Sequence, residues 1–241
     1  MLHTATHKGV DTQLSTLYNE RMIITIKAQP GAGKSTAVKR FRDTLIKTDT
    51  IAHQPKIADI YDNIAILGDY DQYPRMSGCD GYNNNQQLDT VAKHLVKRGY
   101  QVIYESMMMS IASTINVEWH KEGIEQLIIQ LECDDDQAHQ QRQQRSTNTA
   151  LKSKTGITSK QDIDQMCQRL TQQGVAVRKA QTVDQAVELL RQHSRSSTQA
   201  QLTAQDKQQI RWDFDSSVST LTERRRQKNT GLLKNFIEFE D

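Results

Sequence analysis

Short apolar runs alternate with amphipathic stretches along most of the chain. The first run, at 22–28, is rich in β-branched residues and passes directly into a glycine-containing turn. Four further runs lie at 64–67, 101–104, 127–131 and 175–178. Polar loops and stretches with apolar residues at helical spacing separate these runs. The pattern therefore predicts a strand followed by a helix five times in succession.

Such an alternation is typical of an α/β protein. It predicts a five-stranded parallel sheet with helices on both faces, and it places ligand chemistry at the carboxyl ends of the strands. We expect a polar N-terminal lead-in at 1–20 and a core domain at 21–193. Apolar residues are scarce at 194–209 and return from Trp212 onward, so 194–241 is predicted to be a linker and a C-terminal helical tail.

Charge and composition narrow the class of protein. The 31 Lys and Arg nearly balance the 29 Asp and Glu, so the net charge of +2 does not by itself indicate a nucleic-acid or membrane binder. No apolar run approaches the roughly 20 residues that cross a bilayer, and the polar start lacks the apolar middle of a signal peptide. We therefore expect a cytoplasmic protein without a membrane partner. The three cysteines show no C-x-x-C spacing, which excludes zinc ribbons and disulfide scaffolds.

The strongest chemical signal is the segment AQPGAGKST at 28–36. It fits the Walker A pattern with Ala28 in place of the first glycine. Glycines in such a turn let backbone N–H groups face phosphate oxygens, the lysine reaches the β- and γ-phosphates, and the following hydroxyl ligates Mg²⁺. We therefore predict ATP and Mg²⁺ as cofactors. The predicted nucleotide-binding residues are Pro30, Gly31, Ala32, Gly33, Lys34, Ser35 and Thr36, with Ser35 as a metal ligand.

Further candidates lie where the later apolar runs end. Asp69 and Asp71 follow the second run, Glu105 follows the third, and Arg142 and Arg145 follow the fourth. Phosphoryl transfer requires cations on the transferred group and one carboxylate to orient or deprotonate the acceptor hydroxyl. Each feature also has a simpler interpretation, because aspartates often form turns and basic pairs often lie on exposed helix faces.

Taken together, these features resemble the small P-loop kinases of the P-loop NTPase superfamily over about residues 22–192. The Walker B run of motor ATPases and the Asn-Lys-x-Asp signature of GTPases are missing from the sequence. The resemblance implies that Asp69 acts as general base with Arg75 nearby. It also implies that Glu105 acts on Mg²⁺-bound water or on the substrate, and that a lid near 134–158 brings Arg142 and Arg145 onto ATP.

A narrower resemblance concerns the acceptor. The segments at 67–71, 77–80 and 104–110 resemble bacteriophage kinases that phosphorylate the hydroxymethyl group of 5-hydroxymethyluracil in DNA. This implies a weakly bound DNA partner in the host-cell cytoplasm, with tyrosines 70, 73 and 82 stacking on the base. The implied acceptor contacts are Asp71, Arg75, Cys79 and Asp80.

Other acceptors remain open at the level of sequence. A kinase of a free nucleotide or a small hydroxyl metabolite would use the same Walker A segment and carboxylates. A non-catalytic nucleotide-binding module would need the segment but would not need Asp69, Glu105 or the two lid arginines. The sequence does not decide the oligomeric state.

Overall fold

The computed structural model describes residues 22–71, 78–82, 84–105, 114–145, 159–194 and 200–217. The predictions for Arg75 and Tyr73 lie outside these residues, as does most of the predicted lid. The α/β class is confirmed, since the described residues form one sheet and seven α-helices.

The sheet has seven strands in the order β2-β3-β4-β5-β1-β6-β7. The strands are β1 (Met22–Lys27), β2 (Asp49–Ile51), β3 (Ala58–Tyr61), β4 (Ile64–Leu67), β5 (Gln101–Glu105), β6 (Glu125–Leu131) and β7 (Ala176–Ala180).

The prediction of a five-stranded parallel sheet is wrong in strand number and direction. The five apolar runs do form adjacent parallel strands, β4, β5, β1, β6 and β7. However, β3 pairs antiparallel with β4, and β2 pairs antiparallel with β3, so the sheet is mixed. The two extra strands are short and contain Asp49 and Asp59, so neither stands out as an apolar run. A tight turn with Asp62 at φ 52° joins β3 to β4.

Seven helices cover the sheet. They are α1 (Lys34–Arg42), α2 (Asn85–Lys97), α3 (Thr114–Lys121), α4 (Asp135–Arg145), α5 (Lys160–Gln172), α6 (Val183–His193) and α7 (204–217). Helices α1 and α6 pack on one face, where Phe41 and Leu190 join Ile24 of β1 in a buried cluster. Helices α2, α3 and α7 pack on the other face around Trp119, and α5 covers β6 and β7 there. The sheet is thus covered on both faces.

Local signals explain where several helices begin. The Asn84 side chain accepts a hydrogen bond from the Gln87 N–H at 2.9 Å and caps α2. Helix α5 begins after Ser159, which forms a capping box with Asp162. Thr182 caps α6 by accepting from the Gln185 N–H at 3.1 Å. Gly174, at φ 87°, follows the end of α5 as a left-handed residue.

Helix α7 packs against the core, although it begins inside the segment predicted as a linker. Ile210 and Phe214 are buried in the same cluster as α2. The Phe214 ring lies edge-on to His53 and Tyr82, with ring centroids 5.0 Å apart in each pair. Within the described residues, no helix is long and apolar enough to cross a membrane.

Candidate active site

The segment at 28–36 forms a tight turn between β1 and α1. Gly31 and Gly33 adopt φ values of 90° and 97°, a left-handed conformation that favours glycine. A side chain at Gly33 would also collide with α6, because its Cβ would lie 2.8 Å from Val183 Cγ2. Helix α1 begins at Lys34, so its first N–H groups and the positive end of its dipole lie at this turn. This geometry suits a bound anion.

Lys34 reaches back across the turn. The residue is buried, with a relative exposure of only 6%. The ammonium donates hydrogen bonds to the carbonyl oxygens of Ala28 and Gln29, at 3.1 and 3.3 Å. Nearby, the buried Thr36 hydroxyl has no hydrogen-bond partner among the described residues. Because a buried hydroxyl without a partner is costly, its presence beside a helix N-terminus is consistent with a site that accepts phosphate oxygens.

Glu105 connects the end of β5 to the start of α1. Strand β5 lies beside β1, and the register pairs Ile26 with Glu105. The Ser35 hydroxyl donates a hydrogen bond of 2.7 Å to Glu105 Oε1, and Glu105 is only 2% exposed. Two residues that are far apart in sequence therefore supply hard oxygen atoms beside Lys34.

These oxygen atoms fit Mg²⁺, which takes few protein ligands and keeps water and phosphate oxygens in its coordination shell. Ser35 would hold the ion directly, and Glu105 would hold it directly or through water. The described residues contain no cluster of three or more His, Cys, Asp or Glu suited to a metal ion.

Asp69 and Asp71 follow β4 as predicted, and the structure distinguishes them. Asp71 lies between two cations, with 2.7 Å to Arg42 and 2.6 Å to Lys56. The hydrogen bond from Lys56, with further help from Arg42, holds the pKa of Asp71 below its usual range. Asp69 lies 3.3 Å from Lys56, and its carboxylate accepts a hydrogen bond from the Asp71 N–H. Asp71 is therefore held in a cluster of ion pairs.

Two glycines bring the turn at 78–82 against Asp69 and Glu105. The backbones of Asp69 and Gly78 exchange two hydrogen bonds, of 3.1 and 2.9 Å. A Cβ on Gly68 would lie 2.0 Å from the Gly78 carbonyl oxygen. A Cβ on Gly78 would lie 2.6 Å from Glu105 Oε1. The close approach of this turn to the ends of β4 and β5 thus requires glycine.

The structure describes only some of the residues that were predicted to contact the acceptor. Cys79 is buried, at 1% exposure, in the core cluster with α2. The rings of Tyr70 and Tyr82 are also buried, so a base could stack on either only by displacing core contacts. The Asp80 side chain and Arg75 lie outside what the structure describes.

The predicted lid begins with α4. Arg142 and Arg145 both fall on this helix, but their side chains and residues 146–158 lie outside the described part. Gln29 connects the start of this region to the turn at 28–36. Its amide donates to the carbonyl oxygens of Cys133 and Asp134, at 3.0 and 2.9 Å. The residues directly before α4 are therefore held against this turn.

Sequence reasoning assigned no role to three residues near the site: Lys27, Gln29 and Lys56. Lys27 ends β1 and is fully buried; burial, together with the nearby Lys34 ammonium, lowers its pKa to about 7. A lysine at the end of an apolar strand, directly before a glycine turn, could have indicated this position. For the others the sequence offered no such signal, because their contacts come from distant segments.

Comparison with known proteins adds no relative. A scan against models of protein families finds no match, and a search of curated proteins finds no significant similarity. Function therefore has to be inferred from the site itself.

Proposed function

We propose that this protein is an ATP-dependent phosphotransferase that moves the γ-phosphate to a hydroxyl group. The observation that carries the proposal is the 2.7 Å hydrogen bond between Glu105 and Ser35, the residue that follows Lys34 in the glycine turn. It joins a glycine turn suited to phosphates with a buried carboxylate suited to Mg²⁺. A module that only binds nucleotide would not need this carboxylate.

Each of these residues has a separate role in the proposed phosphoryl transfer. Lys34 and the N-terminus of α1 bind and orient the phosphates, and Arg142 and Arg145 are proposed to approach from the lid. Mg²⁺, when bound, neutralises charge on the β- and γ-phosphates. Glu105 orients the Ser35 hydroxyl. Asp69 orients the acceptor hydroxyl and accepts its proton.

The acceptor we propose first is the hydroxymethyl group of 5-hydroxymethyluracil in phage DNA. The segments at 67–71, 77–80 and 104–110 support it by their resemblance to phage kinases with this substrate. Asp80 would bind the base edge or its hydroxyl, and the base would leave the helical stack to reach ATP. The small net charge implies weak, salt-sensitive binding in the host cytoplasm.

A small hydroxyl metabolite or a free nucleotide is the second candidate. It is favoured by the burial of Tyr70 and Tyr82, which removes two residues expected to stack on a DNA base. The cluster around Asp69 also offers no excess positive charge to a DNA backbone, because Asp59, Asp69 and Asp71 are matched in number by Lys56, Arg42 and Lys47.

The test is transfer of labelled γ-phosphate from ATP. Duplexes containing 5-hydroxymethyluracil, matching thymine duplexes, nucleotides and sugars are offered in parallel. We expect labelling of the hydroxymethyluracil duplex above that of the thymine duplex, and a fall in labelling between about 50 and 200 mM salt. Labelling of a nucleotide or sugar alone would select the second candidate. ATP binding without transfer to any acceptor would indicate the non-catalytic module.

A further inference from the structure

Lys56 lies at the centre of a carboxylate cluster next to the proposed base. Its ammonium is 2.6 Å from Asp71, 2.9 Å from Asp59 and 3.3 Å from Asp69. The Lys56 side chain is mostly buried at 14% exposure, whereas Asp71 is half exposed at 55%. One cation therefore contacts three carboxylates that come from two different parts of the chain.

The antiparallel extension of the sheet brings this cation to the site. Lys56 lies in the connection from β2 to β3, and Asp59 lies on β3. Asp69 and Asp71 follow β4, which pairs with β3. The buried Asp59 is fixed in turn by a 2.9 Å hydrogen bond from the Thr50 hydroxyl. The hairpin thus places a lysine at the carboxyl end of a parallel strand, where ligands bind in such sheets.

The charges explain why a cation is needed there. Three carboxylates at this distance would repel one another, and repulsion favours protonation of one of them. Burial alone would lower the pKa of Lys56, but hydrogen bonds to Asp71 and Asp59 outweigh it and raise that pKa. Asp71 also contacts Arg42, and Asp69 contacts Lys56 within this cluster. Lys56 thus joins Asp69 to the rest of the cluster.

We propose that Lys56 is a positioning residue that holds Asp69 in place to receive the proton of the acceptor hydroxyl. The inference rests on the proposed phosphotransferase function and names how its acceptor side is assembled. Lys56 does not contact the reacting atoms and acts through Asp69.

A mutant cycle on turnover tests this role. Lys56→Met is expected to lower kcat by about tenfold to a hundredfold, as when a partner that orients a site residue is removed. The KM for ATP should stay within about twofold, because Lys34 and the glycine turn are unchanged. Lys56→Arg should restore most of the activity. The double variant Lys56→Met with Asp69→Asn should be no slower than Asp69→Asn alone, since both changes remove the same function.

Lys47→Met is the matched control. Lys47 lies 3.6 Å from the same Asp59 but is half exposed, and no ion pair joins it to the two aspartates after β4 in the described residues. Its removal should leave kcat unchanged. Independent, multiplicative losses in the double variant would overturn the inference, as would wild-type kcat in Lys56→Met.

A second measurement needs no variant of Lys56. In ¹⁵N NMR of the full chain, the Lys56 Nζ signal should move when Asp69 is replaced by asparagine, and an unmoved signal overturns the contact. A wild-type protein that transfers phosphate to no acceptor overturns the proposed function and this inference with it. Transfer by the wild type combined with an additive cycle overturns the inference alone.

Discussion

The glycine turn at 28–36 and the Lys56 cluster lie at the same edge of the sheet but are built differently. The turn at 28–36 consists of consecutive residues, and its shape depends on left-handed glycines and the start of a helix. The cluster of Lys56, Asp59, Asp69, Asp71 and Arg42 is held by ion pairs between separate segments. Backbone geometry therefore governs the first region, and balanced charge governs the second.

Glu105 is where the two regions meet. It accepts a hydrogen bond from Ser35 on one side, and on the other it lies against Gly78, whose backbone pairs with Asp69. A change at Glu105 or Gly78 should therefore affect both regions. Changes at Lys34 or Asp69 should affect one region each.

The largest effect is expected at Lys34. Lys34→Ala removes the main side-chain charge at the proposed phosphate site, so transfer should be abolished while the fold is retained. Activity is measured by γ-phosphate transfer and folding by thermal unfolding. Lys39→Ala, on the same helix, serves as the control and should remain active. Normal turnover by Lys34→Ala would refute the Walker A assignment.

The next-largest effect distinguishes the roles of Asp69 and Asp71, the two aspartates after β4. Asp69→Asn should lower kcat by about 10²- to 10⁴-fold, the usual range for general acid–base catalysis, with little change in ATP affinity. Asp71→Asn should have a much smaller effect, because Asp71 is paired with Arg42 and Lys56. Steady-state kinetics compare the two variants. If Asp71→Asn is the slower of the two, the assigned base is wrong.

A smaller and more specific effect is expected at Glu105. Glu105→Gln keeps the shape of the side chain but removes its charge, which weakens its interaction with Mg²⁺. The variant should need more Mg²⁺ for half-maximal transfer, by about tenfold for a lost oriented partner. Titration of Mg²⁺ at saturating ATP measures this. A titration identical to that of the wild type would remove Glu105 from the metal site.

The smallest expected effect concerns the contact between the regions. Gly78→Ala places a Cβ 2.6 Å from Glu105 Oε1 at φ 59°, whereas Gly123→Ala meets nothing within 4 Å at φ 75°. Gly123→Ala bears the cost of an alanine at positive φ, about 1–2 kcal/mol, whereas Gly78, at φ 59° and ψ −140°, has a backbone conformation that is less accessible still to alanine. Overlap should add about 1–3 kcal/mol to the loss of unfolding free energy in Gly78→Ala alone. Denaturant unfolding compares the two, and equal losses would argue against tight contact at Gly78.

The structural features that could be predicted from the sequence are those determined by neighbouring residues. Five apolar runs predicted the five parallel strands. For β1, β4, β5 and β6 the cause is that a buried strand needs a continuous apolar stretch, whereas the edge strand β7 is largely exposed. The glycine segment at 28–36 predicted a strand, a turn and a helix, because left-handed backbone and helix start are properties of neighbouring residues. Asp69 and Glu105 were expected at one edge because parallel strands all end there.

The tertiary structure decided the features that join distant segments. Strands β2 and β3 are too short and polar to stand out, and they exist because β3 can pair with the exposed edge of β4. The neighbours of Lys56 in sequence do not explain its position. Its position is set by ion pairs with three carboxylates, one on β3 and two after the end of β4. The burial of Cys79 and Tyr82 likewise follows from packing against α2 and α7. Such contacts depend on which surfaces pack together after folding. Hydrophobic periodicity predicts the individual strands and helices but not which of them pack against each other.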